Sequence, residues 1–255
     1  MTRVKICGVR ELADALVAAE AGADFVGLVF VPGRRRCLEP GTAKDIVTGL
    51  RAPGGPVPRV VGLFAGQPLG EVNRIIRTCG LDLAQLCGGE TLEYCQKVRC
   101  QVIKVVHVDA PASRPVHPEP VEGQLEQLRG STSSPRAVES REDMIAALGD
   151  SVRSYRDAGH LVTLDRLVEG FEGGTGASFD WEVAASLSRR GLSFLLAGGL
   201  SPSNVAQAVA SARPWGVDVS SGVETDGAKD QGKIRAFIER ARQQSAINRQ
   251  LPAQG

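Results

Sequence analysis

Two side chains that can transfer protons follow short aliphatic segments typical of buried strands. Cys7 ends the segment 3–7, and Asp165 ends the segment 160–165. In a barrel of eight strands these would be the ends of strands 1 and 6, so both side chains would flank the barrel mouth, from different sides. A thiolate and a carboxylic acid in these places can remove a proton from a substrate and deliver another. The structural alternatives are a buried thiol for Cys7 and a helix N-cap for Asp165.

Loops rich in glycine and serine predict a phosphate site. Residues 198–199 precede a predicted helix, residues 220–222 follow the last predicted strand, and residues 173–176 could add further donors. Free N–H groups at helix starts favour an anion, and the loops after strands 7 and 8 of a barrel commonly bind phosphate. The alternative is that these are only turn glycines. The candidate phosphate-binding residues are Gly174, Gly198, Gly199, Ser220, Ser221 and Gly222.

A run of three arginines, Arg34 to Arg36, follows the second predicted strand. Such a charge run is ordinarily a solvated surface. On a loop at the barrel rim, however, one arginine can clamp a carboxylate through two parallel hydrogen bonds. The run is therefore a candidate for binding an acidic part of a substrate.

The elements that must position these residues form a repeating pattern. A helical segment ends in Gly, and a short run that is apolar on both faces follows, as in buried parallel strands. Eight such units in 255 residues predict an α/β fold with a single (βα)8 TIM barrel. A doubly wound sheet is the alternative, but the first strand lacks a glycine-rich dinucleotide turn. The predicted strands are 3–7, 24–30, 58–64, 82–86, 101–108, 160–165, 194–197 and 216–219, and the predicted helices are 10–21, 40–51, 68–79, 89–99, 140–158, 179–190, 201–212 and 229–244.

Composition excludes several other classes of protein. With 30 Lys and Arg against 29 Asp and Glu, the chain lacks the basic surface that binds nucleic acid. No apolar run is long enough to span a membrane, and the first residues do not form a secretory signal. The six cysteines and three histidines show no metal-ligand spacing, so we expect no metal and reduced thiols in the cytoplasm.

One segment breaks the repeating pattern. Residues 109–139 contain five prolines, a Ser/Thr cluster and no aromatic residue. This composition predicts a flexible insertion after strand 5, on the catalytic face of a barrel. It is either an active-site lid or a tolerated surface insertion. We therefore expect a barrel domain over residues 1–245, interrupted at 109–139, and a frayed tail over 246–255.

Several segments together resemble the phosphoribosylanthranilate isomerase family of tryptophan biosynthesis. The segment VKICG at the start and VDVSSGVE near the end are highly specific, and the other matches run in family order over the chain outside the insertion. These other matches are Gly27–Phe30 with Arg36 and Pro40, Val61–Phe64, Gln85–Leu86, Leu164–Asp165, Gly173–Gly176 with Phe179–Trp181, and Gly198–Leu200 with Asn204–Val205.

The resemblance implies an Amadori rearrangement of N-(5′-phosphoribosyl)anthranilate to 1-(2-carboxyphenylamino)-1-deoxyribulose 5-phosphate. It assigns Asp165 as the acid that protonates the ring oxygen, and Cys7 as the base that takes the C2′ proton. It implies that Arg36 holds the anthranilate carboxylate and that Gln85 and Asp218 also bind substrate. It implies a phosphosugar as the small-molecule partner, neither metal nor organic cofactor, and other tryptophan-pathway enzymes as candidate partners.

The sequence also departs from the family pattern. Cys87 stands where the family usually has histidine, Gly89 replaces the usual acidic residue, and Arg166 follows Asp165 where a small polar residue is common. A guanidinium close to Asp165 would lower the pKa of that carboxyl and weaken the acid. Two other functions therefore stay open: a non-catalytic phosphosugar-binding barrel, and a histidine-pathway aminoaldose isomerase. The latter normally uses a carboxylate base after strand 1, which Cys7 does not supply.

Overall fold

Eight parallel strands close into a barrel in the order in which they occur along the chain. The computed structural model describes residues 1–52, 57–109, 141–167 and 181–250. The prediction of a (βα)8 barrel is confirmed. The strands are β1 Arg3–Ile6, β2 Phe25–Val29, β3 Arg59–Phe64, β4 Leu83–Leu86, β5 Gln101–Asp109, β6 Leu161–Leu167, β7 Leu195–Leu196 and β8 Gly216–Val219.

A helix follows each barrel strand. The helices are α1 Leu12–Glu20, α2 Pro40–Leu50, α3 Leu69–Cys79, α4 Leu92–Lys97, α5 Arg141–Asp157, α6 Trp181–Arg189, α7 Val205–Ala212 and α8 Gln231–Gln250. A two-stranded hairpin, β9 Glu224–Thr225 and β10 Ala228–Lys229, precedes α8 and was not expected from the sequence. In the part of the chain that the structure describes, no helix is both long and apolar enough to cross a membrane.

Side chains of each strand alternate between two cores, as the period of two requires. On β1, Val4 and Ile6 pack outward against the helices, where they belong to the larger aliphatic core. Cys7, the residue after β1, belongs to the smaller core inside the barrel, and the aliphatic and aromatic layer there includes Phe25, Leu83 and Ile103. The inner core therefore fills the barrel interior beneath the carboxyl ends of the strands.

Two predicted helix boundaries differ from the structure by four residues or more. Helix α7 begins at Val205, not at residue 201, because Asn204 folds the preceding residues into a turn: its Oδ1 accepts from the Ser201 N–H at 2.8 Å. Helix α8 runs to Gln250, beyond the predicted end at 244, and Asn248 anchors it by donating to the Val209 carbonyl at 2.9 Å. The predicted insertion after Asp109 and the last five residues lie outside the described residues.

Candidate active site

The carboxyl ends of the strands surround a cavity of about 680 Å³. Every predicted site residue that the structure describes lines this cavity; Gly174 lies outside the described residues. The predicted residues that line it are Cys7, Arg36, Gln85, Asp165, Gly198, Gly199, Asp218, Ser220, Ser221 and Gly222. The thiol, the carboxyl and the glycine-serine loops that the sequence predicted to act together therefore share one open chamber.

Cys7 is held at the floor of this cavity by the end of β1. Its backbone N–H donates to the Val219 carbonyl at 2.8 Å, which continues the parallel pairing of β1 with β8. The side chain is 6% exposed. Gly27 on β2 leaves room for the thiol, since a β-carbon at that position would lie 3.1 Å from Cys7 Sγ. The neighbouring strand therefore needs a residue without a side chain here.

A buried ion pair lies beside Cys7. The Lys5 ammonium is fully buried and donates to Asp218 Oδ2 at 2.7 Å, and the two residues are partners in the pairing of β1 with β8. The positive charge of Lys5 also acts on the Cys7 thiol, two residues further along the chain. The second carboxylate oxygen, Asp218 Oδ1, is buried without a hydrogen-bond partner. Because Asp218 lines the cavity, this oxygen is available to accept from a bound molecule.

The environment of Cys7 sets its protonation. Burial raises the pKa of the thiol above its ordinary value; Lys5 and Lys229 act against this rise, whereas Asp218 adds to it. At neutral pH only a minor fraction of Cys7 is thiolate, and the two ammonium groups are what keep that fraction accessible.

Asp165 lies within β6, two residues before the end of the strand, not at the end as predicted. The strand is longer than expected because its pairing with β5 continues to Asp109 and Leu167. The side chain of Asp165 faces the cavity and is partly buried. Its register partner on β5 is His107, which also lines the cavity. The side chain of Arg166 lies outside the described part of the chain, so its predicted effect on Asp165 stays a prediction.

Arg36 is oriented by a carboxylate that the sequence analysis missed. Arg36 Nε and Nη2 donate to the two carboxylate oxygens of Glu224 at 2.7 and 2.9 Å. Arg35 and Lys229 bind the same carboxylate at 2.7 and 3.1 Å. Burial of Glu224 would raise the pKa of its carboxyl, but the hydrogen bonds from the arginines and the charge of Lys229 lower it to about 2. Glu224 is therefore ionised at neutral pH and fixes the guanidinium at the cavity rim.

The candidate phosphate loops approach each other at the side of the cavity formed by β7 and β8. Gly198 and Gly199 have φ values of 89° and 66°, a conformation that residues with side chains rarely adopt. A β-carbon on Gly222 would overlap the Leu200 carbonyl oxygen, so only glycine fits between the loops. Ser221 begins a single 3₁₀ turn after β8. Residues 198–199 were expected to open α7, but that helix begins later, at Val205.

Cys87, two residues after Gln85, stands where the resembled family usually has histidine, and its side chain lines the cavity. Gln85 Nε2 donates to Cys87 Sγ at 3.7 Å. Burial raises the pKa of the Cys87 thiol to about 12, so this thiol is neutral at physiological pH. The His107 imidazole lies alongside, with Nε2 3.4 Å from the Cys87 carbonyl oxygen. Sequence analysis missed His107, although its place near the end of a predicted strand was a usable signal.

Comparison with known proteins agrees with the geometry. The family model of N-(5′-phosphoribosyl)anthranilate isomerase matches residues 4–120 and 127–240. A relative of that name from a Geobacter species is 42% identical over 246 residues, which cover 96% of this chain and 100% of the relative. A relative of the same name from Dehalococcoides mccartyi is 37% identical over 242 residues, covering 95% of this chain and 96% of the relative.

A solved structure shares the fold over nearly the whole chain. The crystal structure of phosphoribosyl anthranilate isomerase from Thermotoga maritima has a TM-score of 0.72 and 33% identity, and the match covers 95% of this chain and 100% of that one. A structure of a phosphoribosyl anthranilate isomerase in complex with reduced 1-(o-carboxyphenylamino)-1-deoxyribulose 5-phosphate has a TM-score of 0.69 and 31% identity, with the same coverage. The chain therefore belongs to the N-(5′-phosphoribosyl)anthranilate isomerase family.

Proposed function

We propose that this chain isomerises N-(5′-phosphoribosyl)anthranilate to 1-(2-carboxyphenylamino)-1-deoxyribulose 5-phosphate, a step of tryptophan biosynthesis, with Cys7 and Asp165 as base and acid. The observation that carries the residue roles is that a thiol and a carboxyl line one cavity that also contains a glycine-serine cradle and an oriented arginine. Family membership supplies the reaction, and a related structure binds the reduced form of the product named here.

The two ends of the substrate would be held at separate places. The backbone N–H groups of the loops at residues 198–199 and 220–222 suit the 5′-phosphate, since both loops bring main chain close to the cavity. Arg36 suits the anthranilate carboxylate, because it lines the cavity and its ion pair with Glu224 already fixes the plane of its guanidinium. Gln85 and the unpartnered Asp218 Oδ1 provide polar contacts between these ends.

The chemistry then needs one proton delivered and one removed. Asp165 donates its proton to the ribose ring oxygen; the C1′–O bond breaks, and the nitrogen lone pair forms a protonated Schiff base. This iminium acidifies the C2′–H bond, so a modest base suffices. Cys7 thiolate takes the C2′ proton, and the electrons of the C–H bond form the enolamine, which tautomerises to the ketone. All atoms of the substrate are retained, and no external reductant or cofactor enters these steps.

Substitution of each reacting group tests these roles. We expect Cys7→Ala and Asp165→Asn each to lower kcat by about a hundredfold or more, the usual range for loss of a general acid or base, with unchanged circular dichroism. Cys100→Ala and Asp150→Asn are the matched controls, since neither residue lines the cavity. Complementation of a tryptophan auxotroph lacking this step gives a second reading. Full turnover by either active-site variant would refute its assigned role.

We also propose that the protein works in the cytoplasm. All six cysteines are free thiols in the structure, and a base at Cys7 must stay reduced to act. Fractionation of cells that make the full chain would test this location, and recovery from an oxidising compartment would contradict it.

A further inference from the structure

The Lys5 side chain occupies an unexpected place inside the barrel. Lys5 and Cys7 are two residues apart at the end of β1, so both side chains point into the barrel interior. The Lys5 ammonium is 0% exposed, although the layer around it is otherwise apolar. It donates to Asp218 at 2.7 Å, and its charge acts on the Cys7 thiol. Since Lys5 is sealed from the cavity, it does not touch substrate.

A buried ion pair of this kind is not explained by stability. Removing two charges from water is costly, and a well-packed apolar pair of similar size is often as stable or more stable. The inner layer offers such packing at its other positions, for example Phe25, Leu83 and Ile103. An ammonium retained here, and aimed at the one thiol to which a chemical role is assigned, therefore points to a task in the reaction.

The Lys5 group is a fixed positive charge and not a proton carrier. Burial alone would lower the pKa of the Lys5 ammonium, but the Asp218 carboxylate and Cys7 raise it above its ordinary value. Lys5 therefore stays protonated throughout the accessible pH range. Asp218 holds it in place whether Cys7 is a thiol or a thiolate, so the charge does not move when the Cys7 proton does.

We propose that Lys5 is a positioning residue that makes Cys7 a competent base, by stabilising the thiolate from beneath while Asp218 limits the effect. The inference rests on the proposed role of Cys7 and deepens it. The charged and titratable groups around the thiol are Lys5 on β1, Asp218 on β8, Lys229 on β10 and Cys87 just after β4. Of the two ammonium groups that favour the thiolate, Lys5 has the larger effect, and Lys229, which is ion-paired with Glu224 at 3.1 Å, adds a second positive charge.

The two members of the ion pair are expected to act in opposite directions. Without Lys5 the thiolate loses its supporting charge, so deprotonation of Cys7 requires a higher pH. Without the Asp218 charge the repulsion of the thiolate is gone, so deprotonation requires a lower pH. A merely structural pair would give changes of the same sign for both substitutions, because either would loosen the same packing.

The test measures alkylation of Cys7 by iodoacetamide against pH, with mass spectrometry of the peptide that contains Cys7. Lys5→Met/Asp218→Asn avoids the isolated buried carboxylate that Lys5→Met alone would create. Because the Lys5 charge acts on the thiol more strongly than the Asp218 charge, we expect the alkylation midpoint of this double variant to rise, by less than the roughly one pH unit that loss of an opposite charge alone would give, and that of Asp218→Asn to fall. The matched control is Lys104→Met/Glu90→Gln, which removes another buried ion pair and should leave the midpoint unchanged.

The outcomes separate this inference from the proposed function. Alkylation midpoints that move as stated, together with a parallel shift of the acidic limb of kcat/KM, support both. If the alkylation midpoints move but the pH profile of kcat/KM stays the same, the Lys5 assignment is supported and Cys7 is overturned as the base. An unchanged midpoint in the folded double variant overturns the inference. If the double variant fails to fold, a midpoint in Asp218→Asn that stays or rises overturns it as well.

Discussion

Glu224→Gln tests the charge network that orients Arg36. The Glu224 side chain is 7% exposed and binds Arg35, Arg36 and Lys229 at once. The amide keeps the size of the side chain but removes its charge. Three cations then share one rim of the cavity without a counter-charge, and the guanidinium of Arg36 loses one of its two fixed contacts.

The magnitude follows from the protonation equilibrium of this carboxyl. Its pKa is lowered from 4.5 to about 2 in the folded chain. At about 1.4 kcal/mol per unit, the ionised carboxylate would contribute about 3.5 kcal/mol to the free energy of unfolding before solvent screening. Arg35 is 47% exposed and Arg36 24%, so solvent screens part of this contribution. We therefore expect Glu224→Gln to lower the free energy of unfolding by about 2 kcal/mol at pH 7.

The pH dependence fixes the sign of the effect. A carboxyl whose pKa is lower in the folded chain stabilises the protein fully above the unfolded value of 4.5, and this contribution is lost as the pH falls towards about 2. Urea unfolding at pH 7, 5, 4 and 3 should therefore show a gap between wild type and Glu224→Gln that is constant down to pH 5 and shrinks below it. Equal urea midpoints of wild type and Glu224→Gln at pH 7, or a difference between them that does not change with pH, would refute this role of the Glu224 charge.

The same variant carries a kinetic expectation. With Arg36 less firmly held, KM for the substrate should rise about tenfold, equivalent to about 1.4 kcal/mol of binding, while kcat changes little. Glu93→Gln is the matched control, because the Glu93–Lys97 pair is exposed and distant from the cavity; it should change neither stability nor KM measurably. A fall in kcat with unchanged KM would mean that Glu224 acts on the chemical step and not on Arg36.

Three further substitutions probe other parts of the cavity. Gly222→Ala should abolish inorganic phosphate binding measured by calorimetry, since the new methyl meets the Leu200 carbonyl; retained binding would place the phosphate elsewhere. His107→Ala should lower kcat/KM about tenfold, the value of one hydrogen bond to substrate, whereas unchanged kinetics would exclude contact with substrate. Arg36→Lys should raise KM for the natural substrate but not for an analogue that lacks the carboxylate, because lysine cannot form the paired hydrogen bonds; equal effects on both would contradict carboxylate recognition.

The barrel could be predicted from sequence because its signals are local and repeat. Segments such as Phe25–Val29 are apolar on both faces, and Gly80 ends α3 in the left-handed conformation expected after a helix. Boundaries were harder to predict where a side chain competes with the helix. Asn204 folds the residues before α7 into a turn, and this competition depends on a loop geometry that residue types alone do not specify.

The chemical groups of the site could be predicted because barrel strands deliver their ends to one place. The sequence did not predict which charged residues form ion pairs with these groups and so set their orientation and protonation. Glu224 meets Arg36 across 188 positions of the chain, and Asp218 meets Lys5 across 213. No local pattern records such pairs, since they depend on the register in which β8 closes against β1. Only the alternation along β1, which places Lys5 on the face of Cys7, was available beforehand.

Two thiols line the same cavity, and their surroundings explain why only one is suited to act as a base. Cys7 has the ammonium groups of Lys5 and Lys229 nearby, and both favour its thiolate. Burial raises the pKa of both thiols, that of Cys87 to about 12, and the Lys5 ammonium acts against this rise at Cys87, whereas both Lys5 and Lys229 do so at Cys7. The second positive charge beside Cys7, at Lys229, therefore distinguishes the two thiols of the cavity.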